Sequence, residues 1–177
     1  LLVAPALAMR LLAEEQRSGT IELLLTAPVS DWEVVLGKYL ASLTLFLTML
    51  AFTLYYPLLL MVFGNPDKGI LAASYLGVIL LGASFLGISL LASSLTHNQV
   101  VAAMISLGVI LTLWLVTFLG SILTGPAADI INYISIVNHY QDFLKGLVNS
   151  KDVIYYLSIV VASLFLATRS LETRRWS

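Results

Sequence analysis

The sequence predicts an all-α integral membrane protein, a polytopic helical bundle, from three observations. Of its 177 residues, 59% are hydrophobic and only 11% are charged, whereas soluble domains usually carry about 25% charged residues. The mean hydropathy is +0.96. No Asp, Glu, Lys or Arg occurs over residues 69–128, a length sufficient for two membrane-crossing helices of about 20 residues each. The chain therefore has too few charges to cover a water-soluble surface.

The chain begins with a short apolar run, residues 1–9, before Arg10. This run is too short to cross about 30 Å of hydrocarbon. It also lacks both an initiator Met and the basic region of a signal peptide. We interpret residues 1–17 as the end of a membrane span followed by an elbow.

Turn and bend signals separate the other apolar runs. Gly64 and Pro66 predict a turn, and the polar tract 93–99 is the only plausible bend within the uncharged stretch. The final run is short, but Tyr155 and Arg169 near its ends suit membrane interfaces. Four full spans are predicted: 39–63, 70–95, 100–123 and 153–168.

The stretch 125–151 lies between the last two spans and is too short to cross a membrane. We interpret it as a pair of external interfacial or re-entrant helices, the second over 140–148. An ordinary external loop with one buried side explains the pattern equally well. His139 is expected to support this region through hydrogen bonds.

The positions of Lys and Arg predict the orientation, because cytoplasmic loops contain an excess of these residues. Six fall on the side that includes the N-terminal loop and the tail 169–177, against three on the other side. The sequence therefore predicts a cytoplasmic C-terminus. The six are Arg10, Arg17, Lys38, Arg169, Arg174 and Arg175, and the three are Lys68, Lys145 and Lys151.

Charge is concentrated in residues 13–33, here called the charged segment, which contains five of the ten carboxylates. Its residue types predict three pieces of helix. The first continues from the membrane to Arg17 and stops where Gly19 can take a left-handed cap conformation. The second, over 21–27, begins after the N-cap Thr20.

The same segment contains the signals that end the short helix and begin the next one. Pro28 ends the short helix, and Glu22 in its first turn is favourable to the helix dipole. Ser30 with Glu33 three residues later is a capping-box pattern, which begins the helix that enters the first full span. Residues 10–38 are thus predicted as helix, short cross-helix and helix, with the region 18–38 at the cytoplasmic membrane surface.

A short apolar helix held between two spanning helices is suited to receive force from a soluble partner. Leu23, Leu24 and Leu25 can fill a groove on that partner, while Arg17 and the nearby carboxylates set its register. The alternative is a solvated loop whose helix rests on lipid. The acidic residues favour the first interpretation, because anionic lipid would repel them.

Two groups of residues, near the two ends of the chain, form a recognisable pattern. The first group is Met9-Arg10, Ala13-Glu14-Glu15, Arg17, Gly19-Thr20, Glu22-Leu23-Leu24, Pro28-Val29-Ser30, Val35 and Gly37-Lys38. The second group is His139-Tyr140-Gln141-Asp142-Phe143, Gly146, Asp152-Val153, Tyr155-Tyr156-Leu157 and Leu171-Glu172-Thr173-Arg174-Arg175-Trp176. With these residues the whole chain resembles the permease subunits of ABC-2 type exporters, especially the gliding-motility-type branch.

The resemblance implies a fold, a set of partners and a set of coupling residues. Such permeases have six spanning helices, so five segments are present here of an expected six. Their first cytoplasmic loop contains a coupling helix that docks on an ABC ATPase, which binds the ATP and Mg²⁺. A second permease copy or a paralogue completes the exporter in the lipid bilayer of the bacterial inner membrane. The residues implied to couple with the ATPase are Glu14, Glu15, Arg17, Gly19, Thr20, Glu22, Leu23, Leu24, Leu25 and Pro28.

The sequence itself excludes a motor within this chain. It has no Gly-x-x-x-x-Gly-Lys-Ser/Thr pattern, so it cannot hold ATP in a P-loop, and no cofactor is expected in it. The alternative is an ATP-independent secondary transporter or membrane scaffold. The predicted span interiors lack the ionisable residues that ion-coupled carriers place there, which weakens the transporter alternative. The net charge of −1 gives no sign of nucleic-acid binding.

No catalytic or metal site is predicted, and the chain is not expected to be an enzyme. It has no cysteine and only two histidines, and the His-Glu-x-x-His pattern of metalloproteases is absent. By the predicted orientation, His97 and His139 lie on opposite sides of the membrane. The external carboxylates Asp129, Asp142 and Asp152 are expected to be solvated.

Small residues follow one face of the span 70–95, including Ala83 and Gly87 four residues apart. Such a pattern allows close packing of helices. Static packing is favoured over a moving interface that lines an export path.

Overall fold

The computed structural model describes residues 2–9, 11–13, 18, 30–122 and 125–175. Within these residues the chain forms eight named helices and no strand. In chain order the helices are α1 (Val3–Ala8), α2 (Asp31–Thr53), α3 (Tyr55–Phe63), α4 (Lys68–Leu95), α5 (Gln99–Ile122), α6 (Pro126–Ile134), α7 (Ile136–Leu144) and α8 (Ser150–Arg175).

Four helical stretches of the described chain are long and apolar enough to cross a membrane. They are Asp31–Phe63, Lys68–Leu95, Gln99–Phe118 and Ser150–Thr173. The all-α polytopic class predicted from composition is confirmed.

A break at Leu54 divides the first of these stretches into α2 and α3. Pro57 has no backbone N–H, so the Thr53 carbonyl cannot receive the usual helical bond from it. The Tyr75 hydroxyl of α4 donates to that carbonyl at 3.1 Å. The proline thus explains the break, and a side chain from another helix replaces the missing hydrogen bond.

Helix α4 forms the centre of the bundle, and α8 packs along it. In the most apolar part of α4, 67% of the residues are buried, whereas only 6% are buried in the corresponding part of α2 and α3. Ser84 donates to the Tyr156 carbonyl at 3.1 Å, and Ser89 shares a hydrogen bond of 2.5 Å with Ser106 of α5. A Cβ at Gly87 would lie 3.3 Å from a side chain of α8. The small residues of α4 therefore permit close helix packing.

The bundle has two ends with different contacts. At one end lie α6 and α7, here called the cap, of which α7 packs on the first half of α4 and α6 packs on α5. A Cβ at Gly77 of α4 would lie only 2.7 Å from the Phe143 Cβ of α7. At the opposite end, here called the Ser93 end, the last turn of α4 contacts the residues after α1 and the C-terminal part of α8.

The cap occupies the stretch 125–151, but the predicted bounds of its second helix are wrong. Helix α7 spans Ile136–Leu144 rather than 140–148. The Ser135 side chain caps its beginning by accepting the Asn138 N–H at 3.3 Å. Gly146, with φ of 81°, provides the left-handed turn after its end.

Two spanning helices extend beyond the apolar runs that predicted them. Helix α2 begins at Asp31 because Ser30 and Glu33 form the predicted capping box, in which each side chain accepts the other's backbone N–H. Helix α8 continues past residue 168, and Arg169 and Glu172 form an ion pair of 2.5 Å on its surface. Apolar length limits a membrane span, but it does not limit the helix.

Candidate functional site

All ten residues implied to couple with an ATPase lie outside the described residues. They are Glu14, Glu15, Arg17, Gly19, Thr20, Glu22, Leu23, Leu24, Leu25 and Pro28. What the structure describes are the two places where the charged segment joins the bundle.

The first junction is built on the Ser93 side chain. Its Oγ accepts the backbone N–H groups of Leu12 at 3.2 Å and Ala13 at 2.9 Å. The same hydroxyl donates to the Met9 carbonyl at 3.1 Å. Leu12, Ala13 and Ser93 are fully buried, so the charged segment starts from a fixed point on α4.

These hydrogen bonds explain why the predicted helix from the membrane to Arg17 is not continuous. Helix α1 ends at Ala8, and Leu11 and Leu12 lie in a turn. In an uninterrupted helix the N–H groups of Leu12 and Ala13 would bond to carbonyls four residues earlier. The Ser93 hydroxyl takes their place, so the elbow begins earlier than predicted.

The C-terminal part of α8 meets the same turn of α4. The Ser170 hydroxyl donates to the Ser94 carbonyl at 3.2 Å, and Leu171 is buried in the same core as Leu12. The start of the charged segment and the tail helix are therefore both attached to the Ser93 end.

The second junction is the capping box at Ser30, which is exposed. Helix α2 contacts the bundle through few residues. Val35 is fully buried, and the Tyr39 hydroxyl donates to the Ala83 carbonyl at 3.2 Å. The charged segment thus begins at a buried junction and ends on a helix that is otherwise largely exposed.

At the cap end, the His139 ring lies in a cluster of polar and aromatic groups. Its Nδ1 is 2.6 Å from Asp152 Oδ1, and its Nε2 is 2.9 Å from the Tyr133 carbonyl oxygen. The Tyr155 ring stacks on it at a centroid distance of 4.0 Å. The expectation that His139 supports this region by hydrogen bonding is confirmed.

Two tyrosines of α8 fasten the junction between the cap helices. The Tyr155 hydroxyl donates to the Ile134 carbonyl at 2.5 Å, and the Tyr156 hydroxyl donates to the Ile136 carbonyl at 2.7 Å. In the sequence, the position of Tyr155 near the end of an apolar run indicates only a membrane-interface residue. Its bond to Ile134 is not evident there, because the bends of the cap cannot be read from apolar patterns.

The prediction that all three carboxylates of this region are solvated is wrong for Asp152, which is 0% exposed. It lies in the first turn of α8 beneath the cap, and its Oδ2 has no hydrogen-bond partner among the described residues. Asp142 is partly exposed and lies 4.0 and 3.9 Å from the Lys145 and Lys151 ammonium groups. Asp129 is exposed.

Two cavities flank α7. An apolar cavity of about 410 Å³ is lined by Leu81, Phe85, Trp114, Ile136, Val137, Tyr140, Gln141 and Leu144. A polar cavity of about 370 Å³ is lined by Asp129, Asn132, Tyr133, Asn138, His139, Gln141, Asp142, Lys151 and Asp152. The described part of the chain contains no group of three or more His, Asp or Glu side chains that could hold a metal ion.

The fold defines a multi-pass helical membrane protein whose most charged segment is attached to one end of its bundle. The chain matches the family model described as "ABC-2 family transporter protein" over residues 2–174 and belongs to this family. It is thus a permease component of an ABC transporter, a class that works with ABC ATPase subunits. The match does not distinguish the gliding-motility-type branch. Comparisons with curated proteins and with solved structures found no match.

Proposed function

We propose that this chain is the permease subunit of an ATP-driven exporter, and that the ATPase docks on the charged segment. The observation on which this depends is the attachment of that segment to the bundle. Ala13 at its start and Leu12 just before it bond to Ser93 of α4, and its last residues cap α2. Movement of the segment is thereby passed to two membrane helices.

The contacts at the Ser93 end suggest how force enters the bundle. A push on the predicted short helix, residues 21–27, would move Leu12 and Ala13, which pull on α4 through Ser93. Because Ser170 bonds to the Ser94 carbonyl, α8 follows the same turn of α4. The segment also pushes on the capped end of α2. Because α2 makes few contacts with the bundle, little resists its tilting. Repeated tilting would open the transport path alternately to each side.

The proposed coupling residues have separate tasks. Leu23, Leu24 and Leu25 insert into the ATPase, where buried apolar anchors supply most of the binding energy. Gly19 would permit the predicted turn before the short helix. The polar residues Glu14, Glu15, Arg17 and Glu22 fix the register of the two proteins. The ATPase subunits bind the ATP and Mg²⁺.

A second permease copy or a paralogue is proposed to pair with this chain. The surface of α2 and α3 is largely apolar and exposed, including Leu45, Phe52 and Leu58 at 52%, 79% and 59%. Lipid and a partner helix can each cover such a surface. With two permeases on two ATPase subunits, each nucleotide-driven movement would shift membrane helices on both sides of the transport path.

Substitutions in the short helix test the docking site. Leu24→Asp places a charge in the proposed apolar contact, and Glu22→Lys reverses a charge that would set the register. Both are expected to lower co-purification with the partner ABC ATPase at least tenfold, which corresponds to about 1.4 kcal/mol. ATP hydrolysis by the purified complex should fall in parallel.

Leu147→Asp is the matched control, because Leu147 is 52% exposed at the opposite end of the bundle. Normal assembly and ATP hydrolysis in both test variants would show that the segment is not the docking site. Failure of wild type to retain any P-loop protein would instead favour the ATP-independent alternative.

A further inference from the structure

Helix α7 has two apolar faces, and only one of them is packed against the core. Ile136 and Phe143, two turns apart, are fully buried. Val137, Tyr140 and Leu144 lie on the neighbouring face at spacings of three and four residues, and none of them is fully buried. A helix at a watery surface usually has polar residues beside its packed face. The second face of α7 therefore indicates an apolar neighbour that the described residues do not supply.

This second face is one wall of the apolar cavity of about 410 Å³. The other walls are Leu81 and Phe85 of α4 and Trp114 of α5. Phe85 and Ile136 are buried and form the floor of the cavity. Trp114 and Leu144 are 39% and 48% exposed and form its rim. The volume is within the range of about 300–1,000 Å³ that is usual for sites that bind small molecules. The cavity is therefore a pit with its mouth at the protein surface.

The mouth of the cavity lies beside a membrane-spanning helix. Trp114 is close to the end of the spanning stretch Gln99–Phe118, in whose most apolar part only 17% of the residues are buried. Trp and Tyr are enriched at membrane interfaces, so Trp114 and Tyr140 suit the level of the lipid headgroups. A lipid chain can therefore enter the cavity sideways from the bilayer without crossing water.

Three side chains that can donate hydrogen bonds line this cavity without being fully buried. They are the Trp114 indole, the Tyr140 phenol and the Gln141 amide. None of these side chains forms a hydrogen bond with another described residue. The ester carbonyl oxygens of a lipid accept hydrogen bonds and lie just below its headgroup. An apolar floor with donors near the rim therefore matches an acyl chain and the ester group at its end.

We propose that the apolar cavity binds one acyl chain of a lipid from the surrounding bilayer. The chain lies against Phe85 and Ile136, and the ester carbonyl of the same lipid accepts hydrogen bonds from the donors near the rim. A helix is about 10 Å wide with its side chains, so a cavity of this volume fits a slender chain better than a helix of another protein. Because the walls come from α4, α5 and α7, the bound chain connects the cap to two spanning helices.

Photo-crosslinking on the full chain in phosphatidylcholine nanodiscs tests the site directly. The probe is a phosphatidylcholine with a diazirine near the end of one acyl chain, and mass spectrometry identifies the labelled residues. A bound chain should label Phe85 and Ile136, which are buried. Lipid that only surrounds the protein should label exposed residues such as Leu45 and Leu115. Labelling of the exposed residues without Phe85 and Ile136 would overturn the proposal.

Two variants that reduce the space for a chain provide a second test. Val137→Trp fills the cavity from its wall, and Leu144→Trp covers its mouth. Each should lower the labelling of Phe85 and Ile136 at least tenfold, which corresponds to about 1.4 kcal/mol of binding free energy. Unchanged labelling of these two residues in both variants would show that the probe does not reach them through the cavity.

Val109→Trp is the matched control, because Val109 is exposed on α5 and lies outside the lining of the cavity. It should leave the labelling of Phe85 and Ile136 unchanged. Thermal unfolding shows whether each variant is folded. Leu144→Trp changes a side chain that is already exposed, so it keeps the test decisive if Val137→Trp unfolds the protein. An equal loss of labelling in Val109→Trp would contradict the assigned cavity.

A second probe, in which ether bonds replace the esters, tests the polar end of the lipid because it has no carbonyl oxygen. In wild type the ester probe should label Phe85 and Ile136 about fivefold more strongly, the effect of one typical hydrogen bond. The double variant Tyr140→Phe with Gln141→Leu should reduce this difference, whereas Tyr56→Phe on the exposed surface of α3 should not. Equal labelling by the two probes in wild type, or an unchanged preference in the double variant, would refute the role of the ester. None of these measurements requires an ATPase, so their failure would leave the proposed transport function untouched.

Discussion

One hydroxyl group connects the charged segment to the centre of the bundle. Ser93 Oγ accepts two backbone N–H groups and donates to one carbonyl. A serine hydroxyl has two acceptor positions and one donor, so this side chain uses its full capacity. Removing it leaves two buried N–H groups and one part-buried carbonyl to find other partners.

The variant Ser93→Ala is expected to weaken this junction and to uncouple the ATPase from the membrane helices. Each unsatisfied buried backbone group costs about 1–3 kcal/mol, and partial reformation of the helix offsets part of that cost. We expect a lower thermal midpoint and a smaller stimulation of ATP hydrolysis by substrate. Ser158→Ala is the control, since the Ser158 hydroxyl donates within its own helix to the Tyr155 carbonyl. Equal effects from both variants would argue against a special role for Ser93.

Features of the fold that depend on residues close together in the chain were predictable from the sequence. Ser30 and Glu33 are three residues apart, and their capping box begins α2 as predicted. The bend after α1 was not predictable, because it depends on Ser93, about eighty residues further along the chain. Asp152 looked like an ordinary external carboxylate, since nothing beside it in the sequence reveals that His139 covers it.

At the scale of helices, the cap is positioned on the bundle by close packing between α4 and α7. Gly77 leaves room for Phe143, which is fully buried. A Cβ at Gly77 would lie 2.7 Å from the Phe143 Cβ and 2.9 Å from its Cγ. Real side chains are not found at such distances, so any larger residue forces the two helices apart.

The variant Gly77→Ala is therefore expected to destabilise the protein by about 1–3 kcal/mol, the usual cost of overpacking. Gly108→Ala is the control, because a Cβ there meets nothing within 4 Å. That change should be neutral or stabilising by up to about 1 kcal/mol through helix propensity. Thermal unfolding in one detergent compares the two, and similar shifts in both would contradict the close contact.

For the spanning helices, composition predicts where a helix lies, whereas tertiary contacts decide where it breaks. Long uncharged runs located every spanning helix, because few other structures bury so much apolar sequence. Composition did not reveal the break between α2 and α3, although Pro57 was visible. The break is stabilised by Tyr75 from another helix, and a proline alone does not say whether such a partner exists.

At the scale of the whole molecule, the cap and the Ser93 end are predicted to face opposite sides of the membrane. The chain contains no cysteine, so single cysteines can be introduced without background. In intact cells, Leu147→Cys should react with a membrane-impermeant maleimide, and His97→Cys should react only after the membrane is permeabilised. The reverse pattern would invert the predicted orientation and place the charged segment outside.

Family membership and the two ends of the bundle together limit what this protein can do alone. An ABC-2 permease works with ATPase subunits, and this sequence has no P-loop. The described part of the chain offers packed helices and, beside α7, an apolar and a polar cavity. Under the proposed function, work enters as motion of the charged segment.

The bend after α1 is a joint that can change shape by exchanging hydrogen bonds rather than by losing them. In the bent form, Ser93 satisfies the N–H groups of Leu12 and Ala13 and the carbonyl of Met9. In a straight form, the two N–H groups would return to the carbonyls of Ala8 and Met9, and the serine would donate to a carbonyl of its own helix. Three hydrogen bonds replace three, so straightening the joint carries little cost in hydrogen bonding.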